Sequence, residues 1–586
     1  MRVALVGAEL EENLALRYMA SALEHAGHHA EIVPFDASSD TPRVVEQIIA
    51  SGCRIAALSM IFTSRAREFC GLAASLRENG YDGRIVAGGH FASLNAERLL
   101  AEHPAFDAVG LGEGEELICR YADDPAGVID ISGISHRQSD GSIRTNPSHG
   151  NPDDLDALPF PKRTTFHEYF DKPIGSILSS RGCWRSCTFC SINAWYQQGG
   201  GKQFRIRSVE NIVEEMKQLY FRHGVKIFNF QDDNFFLPNH DQATARFTDL
   251  RDSLAREGIE DIAIAVKARP DSITREAIQV LDDLRLFRVF LGVENASENG
   301  LRNLNRKCDL AQILSALEIL NDFDIHIAFN ILMFEPDTTL NDVLINLRFI
   351  ERHNENPFNF CRAEAYAGTG LEARLLADDA LLGDWYGLDY RLKDPAVEAF
   401  HRIVNHVFFD RNFSDDGLHY FNMQVDFFFQ LLRRFHPNTL TASLRASVRN
   451  FIKRTNLDTY EHLCRIYDFV TSSSDPDQSG VHRFARTLRS TVDAKSAELR
   501  VEGERLIDRL TETYEIFGRS DTPTGVIRAA ERIGDPNGPE QPCLSTLGPD
   551  APALGRFFGE LETPIPYSEF KREMDRHLTS RAPVRR

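Results

Sequence analysis

The chain has 586 residues, 42% of them apolar and 26% charged, and a formal net charge of −20. That length gives room for about three to four domains with their own cores, and the composition is that of an ordinary globular protein. The acidic excess argues against a nucleic-acid backbone as partner, because phosphate binding needs clustered Lys and Arg. No stretch of about 18 uncharged apolar residues occurs, so no membrane span is expected. The start, Met1–Gly7, reads as a strand rather than a signal peptide. Ten cysteines in such a chain fit a reducing compartment, so a cytoplasmic location is expected.

Residues 1–125 alternate short apolar runs with helical stretches. Strands are predicted at Val3–Val6, Ala30–Val33, Ile55–Ser59, Arg84–Ala87 and Ala108–Leu111, and helices at Asn13–Ala26, Arg43–Ala50, Ala66–Asn79 and Ala96–Glu102. This alternation implies a doubly wound, Rossmann-like parallel sheet, whose ligands bind at the carboxyl ends of the strands. Two glycine loops fall there, Gly88-Gly89-His90 and Gly110-Leu111-Gly112-Glu113-Gly114. Residues 126–170 read as a connector, with Gly, Ser and Asp turns and the loop Pro159-Phe160-Pro161.

A second alternating series occupies 171–375. Its strands are predicted at Ile174–Leu178, Lys226–Phe230, Ile262–Lys267, Phe287–Val293, Ile325–Leu332 and Phe358–Tyr366. Six strands separated by helices imply a partial (β/α)6 barrel with its active residues at the strands' carboxyl ends. Residues 376–518 are predicted mainly helical, rich in Phe and Leu at 3–4 spacing. Residues 519–586 are expected to be a loop-rich tail with a short terminal helix at Tyr567–Leu578.

The most informative segment follows the first strand of the second series. Cys183, Cys187 and Cys190 are spaced C-x3-C-x2-C. Three thiolates on one short loop can hold three irons of a [4Fe–4S] cluster and leave the fourth open for chemistry. A structural zinc site wants four ligands, and the remaining cysteines, at 53, 70, 119, 308, 361, 464 and 543, are isolated. A disulfide reading leaves one of the three over.

The cysteine spacing, with the aromatic Phe189 before the last cysteine, resembles the signature of radical S-adenosylmethionine (SAM) enzymes. The resemblance extends along the barrel. Gln231-Asp232-Asp233 ends the second strand, where the family binds the SAM amino group. Arg269, after the third strand, is the cation suited to the SAM carboxylate. Glu294 lies in a segment similar to the family's Gly-x-Glu-Ser. Arg362 and Glu364 close the sixth strand in a similar way. The N-terminal half resembles the cobalamin-binding domain found ahead of such barrels, through Ser59-Met60, Gly88-Gly89-His90 and Gly112-Glu113-Gly114-Glu115. Together the two resemblances cover about residues 1–375.

They imply an α/β protein carrying a [4Fe–4S] cluster, SAM and cobalamin. The implied activity is methylation of an unactivated carbon of a small or lipophilic metabolite, with electrons from an external flavodoxin- or ferredoxin-like donor. A cobalamin-dependent radical cyclase or rearrangement enzyme is the alternative within the class, and a non-catalytic iron–sulfur electron carrier is the alternative outside it. Two departures stand out. The Asp-x-His-x-x-Gly motif that supplies cobalt with a lower histidine is absent, since the first strand runs into Gly7-Ala8-Glu9-Leu10-Glu11-Glu12-Asn13. The fifth strand ends in Met333-Phe334-Glu335-Pro336-Asp337-Thr338 rather than Gly-x-Pro-Gly-Glu-Thr. The helical C-terminal part is expected to cover the barrel mouth.

Overall fold

The computed structural model describes residues 1–517 apart from 10–11, 126, 149, 415–416 and 473–477. The expected tail, with its helix at Tyr567–Leu578, lies outside the described residues. Five parallel strands, β1 (Arg2–Gly7), β2 (His29–Pro34), β3 (Ile55–Ser59), β4 (Arg84–Gly88) and β5 (Ala108–Gly110), form the first sheet in the order 2-1-3-4-5. Their near-continuous apolar sequences are buried on both faces, as parallel sheets require. One face packs Val6, Ala56, Leu58 and Ala87 against Val44, Leu72 and Leu99, the other Val3, Leu5 and Val86 against Leu16, Leu23 and Ile118.

The connector is more structured than its turn-rich composition indicates. β6 (Ile134–Arg137) and β7 (Ile143–Thr145) extend the first sheet as antiparallel edge strands. β8 (His167–Tyr169) pairs antiparallel with β9 (Lys172–Ile177) and opens the second sheet. Strands of three or four residues carry too little periodicity to stand out from turns.

After β9 comes a two-stranded ribbon, β10 (Ser180–Arg181) with β11 (Arg205–Ile206), which brackets the cysteine loop. Then follow β12 (Ile227–Phe230), β13 (Ala263–Ala268), β14 (Leu286–Glu294), β15 (His326–Phe334) and β16 (Phe358–Arg362). With β9 they make six parallel strands in sequential order, an open half-barrel. Residues such as Phe228, Val266, Val289 and Ile327 pack outward against helices Val209–His223, His240–Arg256, Arg275–Asp283, Leu310–Asp322 and Leu340–Arg352.

The long helices that follow, Pro395–Phe413, Leu418–Phe435, Ala442–Ser472 and Gln478–Phe517, do not cover the barrel mouth. Leu418–Phe435 closes the amino end instead. Ile227, Ala263, Ala265 and Phe287, at the starts of their strands and facing inward, pack with Leu418, Phe421, Val425 and Phe429. The period of two explains this: Ile227 and Ala265 alternate with the outward Phe228 and Val266, so an apolar concave floor is left for the Phe-rich helix to fill. Within this floor His326 and Asp426, both wholly buried, pair at 2.5 Å.

Before that bundle, β17 (Leu382–Asp384) and β18 (Gly387–Asp389) form a hairpin that reaches back to the first domain. Its turn residues Trp385 and Tyr386 stack on Phe91, with ring centroids 5.4 and 6.0 Å apart. No helix among the described residues is long and apolar enough to cross a membrane.

Candidate active site

Cys183, Cys187 and Cys190 lie on the loop after β9 and β10, at the carboxyl end of the half-barrel, and all three are free and partly exposed. The loop is held by its neighbours' backbone. Gly182 has φ +85°, and a Cβ there would lie 1.7 Å from the Gln203 carbonyl oxygen, so only glycine fits. Thr188 N–H donates to the Leu304 carbonyl and its hydroxyl to that of Asn303, while Asn305 donates to the Ser186 carbonyl.

Two cations converge on the middle thiol. Arg306 Nη1 lies 3.2 Å from Cys187 Sγ and Arg269 Nη1 lies 3.6 Å from it. Arg269 also binds Asp271 through Nε at 2.9 Å, and Arg185 reaches Asp271 at 2.6 Å. Burial pushes the Cys183 thiol up, and that of Cys190 up to about 12. These thiols become thiolates on binding metal, which displaces the proton. Three sulfurs on a glycine-pinned loop, with guanidinium charge beside one of them, fit a cluster carrying net negative charge.

The polar residues expected around SAM divide into different roles. Gln231 accepts from Lys267 Nζ at 3.2 Å. Asp233 accepts from Gly182 N–H at 3.1 Å; burial raises its pKa to about 6 against the opposing charge of Lys267. These groups sit beside the cysteine loop and offer acceptors for an ammonium. Asp232 does not. Its buried carboxylate is taken up by Ser179 N–H and hydroxyl and by the Ser180 hydroxyl, at 2.5–3.1 Å, and it fastens β12 to the end of β9.

Arg269, expected at the SAM carboxylate, faces Cys187 and Asp271. Glu294, at φ +64°, is buried with its pKa raised by desolvation, and Arg306 and Arg269 oppose that rise. Phe189 packs on the edge of the barrel core. Arg362 is not at the mouth. It ties β16 to the hairpin strand through Asp389, at 2.7 Å, and the Tyr390 carbonyl.

Arg306 and Asp271 carry no motif. Arg306 follows a short helix in a polar turn, Asn303-Leu304-Asn305, and only the fold brings it to the cysteine.

The residues expected to hold cobalamin form two groups. Ser59, Met60, Gly88, Gly89 and His90 meet at the ends of β3 and β4. Gly89 has φ +92°, and a Cβ there would press on the Met60 carbonyl at 2.9 Å, while above Gly88 nothing lies within 4 Å. Open space over a strand-end glycine is the cradle a flat macrocycle needs. His90 is buried, its Nε2 has no hydrogen-bond partner, and its ring lies 4.5 Å from that of Trp195, on the helix that follows Cys190. Burial lowers its pKa to about 4, so it is neutral.

Gly112, Glu113 and Gly114 lie elsewhere, against the barrel. Glu113 pairs with Arg181 at 3.0 Å and with Arg205, Gly112 abuts Gly199, and Gly114 abuts Met19. In the loop after β1, Glu12 pairs with Arg163 and accepts from Ser176 N–H, at 2.6 and 2.8 Å.

Family models agree with this division. The B12 binding domain matches residues 3–122 and the radical SAM superfamily residues 177–349. The chain is therefore a radical SAM enzyme with an N-terminal cobalamin-binding domain. An uncharacterized methyltransferase of Pyrococcus horikoshii is 25% identical over 400 residues, covering 66% of this chain and 83% of that protein. A hopanoid C-3 methylase of Methylococcus capsulatus is 27% identical over 344 residues, 56% of this chain and 61% of its own length. An anaerobic magnesium-protoporphyrin IX monomethyl ester cyclase of Synechocystis is 26% identical over 328 residues, 53% and 62% respectively. The fold is shared with the cobalamin-dependent radical SAM enzyme OxsB, at TM-score 0.59 and 16% identity over 89% of this chain and 84% of that one.

Proposed function

We propose that this protein is a cobalamin-dependent radical SAM methyltransferase acting on an unactivated carbon of a small or lipophilic metabolite. The observation that carries the reading is the junction of the cysteine loop with the glycine loops of the first domain. Cys183 follows Arg181, bound to Glu113, and Cys190 precedes the helix whose Trp195 touches His90. When bound, the cluster with SAM supplies a carbon radical able to abstract hydrogen, and methylcobalamin supplies the methyl group.

The chain's own residues hold and orient. Cys183, Cys187 and Cys190 anchor three irons, and Arg306 and Arg269 offset the charge of the central thiolate. Asp233 and Gln231 accept from the SAM ammonium, while Glu294, with Arg306, bounds the same pocket. Gly88 and Gly89 let the backbone approach the corrin face, with Ser59, Met60 and neutral His90 around it. The bundle floor excludes water from the amino end of the barrel. Electrons come from a flavodoxin- or ferredoxin-like donor in a reducing, cytoplasmic setting. Similarity to a methylase and to a cyclase keeps cyclisation as the second reading, since radical formation is common to both.

The test is anaerobic purification with cobalamin, followed by iron, sulfide and cobalt counts and a 5′-deoxyadenosine assay with SAM and reductant. One cluster, one cobalamin and SAM cleavage that is lost in Cys187→Ala support the reading. A cluster without cobalamin removes the methyl donor, and no cluster at all overturns the class.

A further inference from the structure

The ribbon β10–β11 carries an electrostatic contradiction that the barrel cannot resolve alone. Arg181 and Arg205 are directly opposite in register, and their side chains are only 10% and 1% exposed. Like charges facing each other across strands repel, and burial removes the water that otherwise screens them. The neutralising acids come from the other domain. Glu113 lies between the two arginines, and Glu115 binds Arg181 at 2.6 Å. The four charges sum to zero. Arg205 also donates to the Pro152 carbonyl at 2.6 Å, and Arg181 lies over the Tyr18 ring, 4.9 Å from its centre. Next in sequence after Arg181 come Gly182 and Cys183.

We propose that the Gly112-Glu113-Gly114-Glu115 loop is a latch between the two cofactor sites and not a cobalamin contact. Glu113 and Glu115, acting through Arg181 and Arg205, are positioning residues that fix the root of the cluster loop against the cobalamin domain. The latch rests on the proposed pairing of cluster and cobalamin. Several features suit it to that task. Bidentate guanidinium–carboxylate pairs are directional, so they set an angle as well as a distance. Gly112 and Gly114 bring the loop backbone up to Gly199 and Met19, where a Cβ would meet atoms at 3.1 and 3.0 Å. A second, independent tie runs parallel to it, from Glu12 to Arg163 and on to Glu215 at 2.6 Å.

The test compares wild type with a Glu113→Gln, Glu115→Gln double variant, both full-length and loaded anaerobically with cluster and cobalamin. The first readout is the magnetic coupling between cob(II)alamin and the reduced cluster by electron paramagnetic resonance. The second is hydrogen exchange of residues 180–190 in cofactor-free protein. Expected are one defined coupling in wild type, a spread at least about twofold wider in the variant, and faster exchange of the loop, since unpaired buried arginines destabilise the ribbon. Arg205→Lys keeps the charge but loses the bidentate geometry, and it gives the same broadening if the double variant does not fold. Unchanged coupling with unchanged exchange overturns the latch. So does a variant that keeps its cluster but no longer binds cobalamin, which makes Glu113 a cobalamin contact. A wild type that takes up no cobalamin overturns the proposed function instead, and the exchange experiment then decides the latch by itself.

Discussion

The half-barrel is joined to the rest of the chain through two seams of opposite chemistry. Its carboxyl end meets the cobalamin-binding domain through buried ions: Glu113 and Glu115 with Arg181 and Arg205, and Glu12 with Arg163. Its amino end meets the helical bundle through Leu418, Phe421, Val425, Phe429 and Leu432. Apolar burial is strong but indifferent to direction, so it serves to close a floor. Ion pairs in a dry junction gain little net stability after desolvation, yet tolerate few geometries. The ionic seam is thus placed where two reactive sites must be held in register, and the apolar seam where only exclusion of water is needed.

Several measurements can break or sharpen that contrast. The largest effect is expected from Arg205→Ala. It leaves Glu113 buried with one partner fewer, so denaturant unfolding should show a loss of about 3–5 kcal/mol. In the apolar seam, Leu432→Ala should cost about 2–5 kcal/mol while leaving cobalt and iron stoichiometry intact. Equal losses of cofactor in both variants would abolish the distinction.

A third experiment exchanges the chemistry of the ionic seam. Replacing all four residues (Glu113→Leu, Glu115→Leu, Arg181→Met, Arg205→Met) should leave stability unchanged or raise it by about 1–4 kcal/mol. Register between the cofactors should nonetheless be lost, which separates holding from positioning. A stability loss comparable to Arg205→Ala would show that the ions stabilise the seam as well as align it.

Acid should open the apolar seam first. Burial holds His419 of the bundle at a pKa of about 3 and His401 well below its ordinary 6.5. Their stabilising contribution is complete above pH 6.5 and falls as pH drops toward the folded values, because the unfolded chain takes up the proton first. Burial alone would raise Glu115, but the Arg181 ion pair brings it below 4.5. Its contribution is therefore complete above 4.5 and is lost only at lower pH. Between pH 6.5 and 4.5, hydrogen exchange should quicken in 395–517 before it does in 180–206. The reverse order would contradict the assignment.

The smallest effect is expected at the hairpin, where Arg67 pairs with Asp384 at 2.7 Å with both side chains substantially exposed. Arg67→Ala should change thermal stability by about 1 kcal/mol or less.

The class of the protein was legible because its chemistry is local. Three cysteines within eight residues and glycines at strand ends are conditions a single loop meets by itself, and strand–helix alternation announces parallel sheets. What could not be read is everything that depends on approach across the chain. Asp232 and Asp233 are adjacent and alike in sequence, but pleating turns one into the Ser179–Ser180 anchor and the other toward the cysteine loop. Arg306 reaches Cys187 across more than a hundred residues. The location of the bundle was equally invisible, since 3–4 spacing of Phe identifies an apolar face without naming the surface it covers.

The sequence alone determined the cofactor class, the two α/β layers and the open iron site, because ligand spacing and hydrophobic period are properties of short segments. Only the tertiary structure decided that Glu113 faces two arginines, that Arg269 faces a sulfur, and that the phenylalanines seal the amino end. Those roles depend on which charges and apolar faces lose water together, and that is settled when distant segments pack.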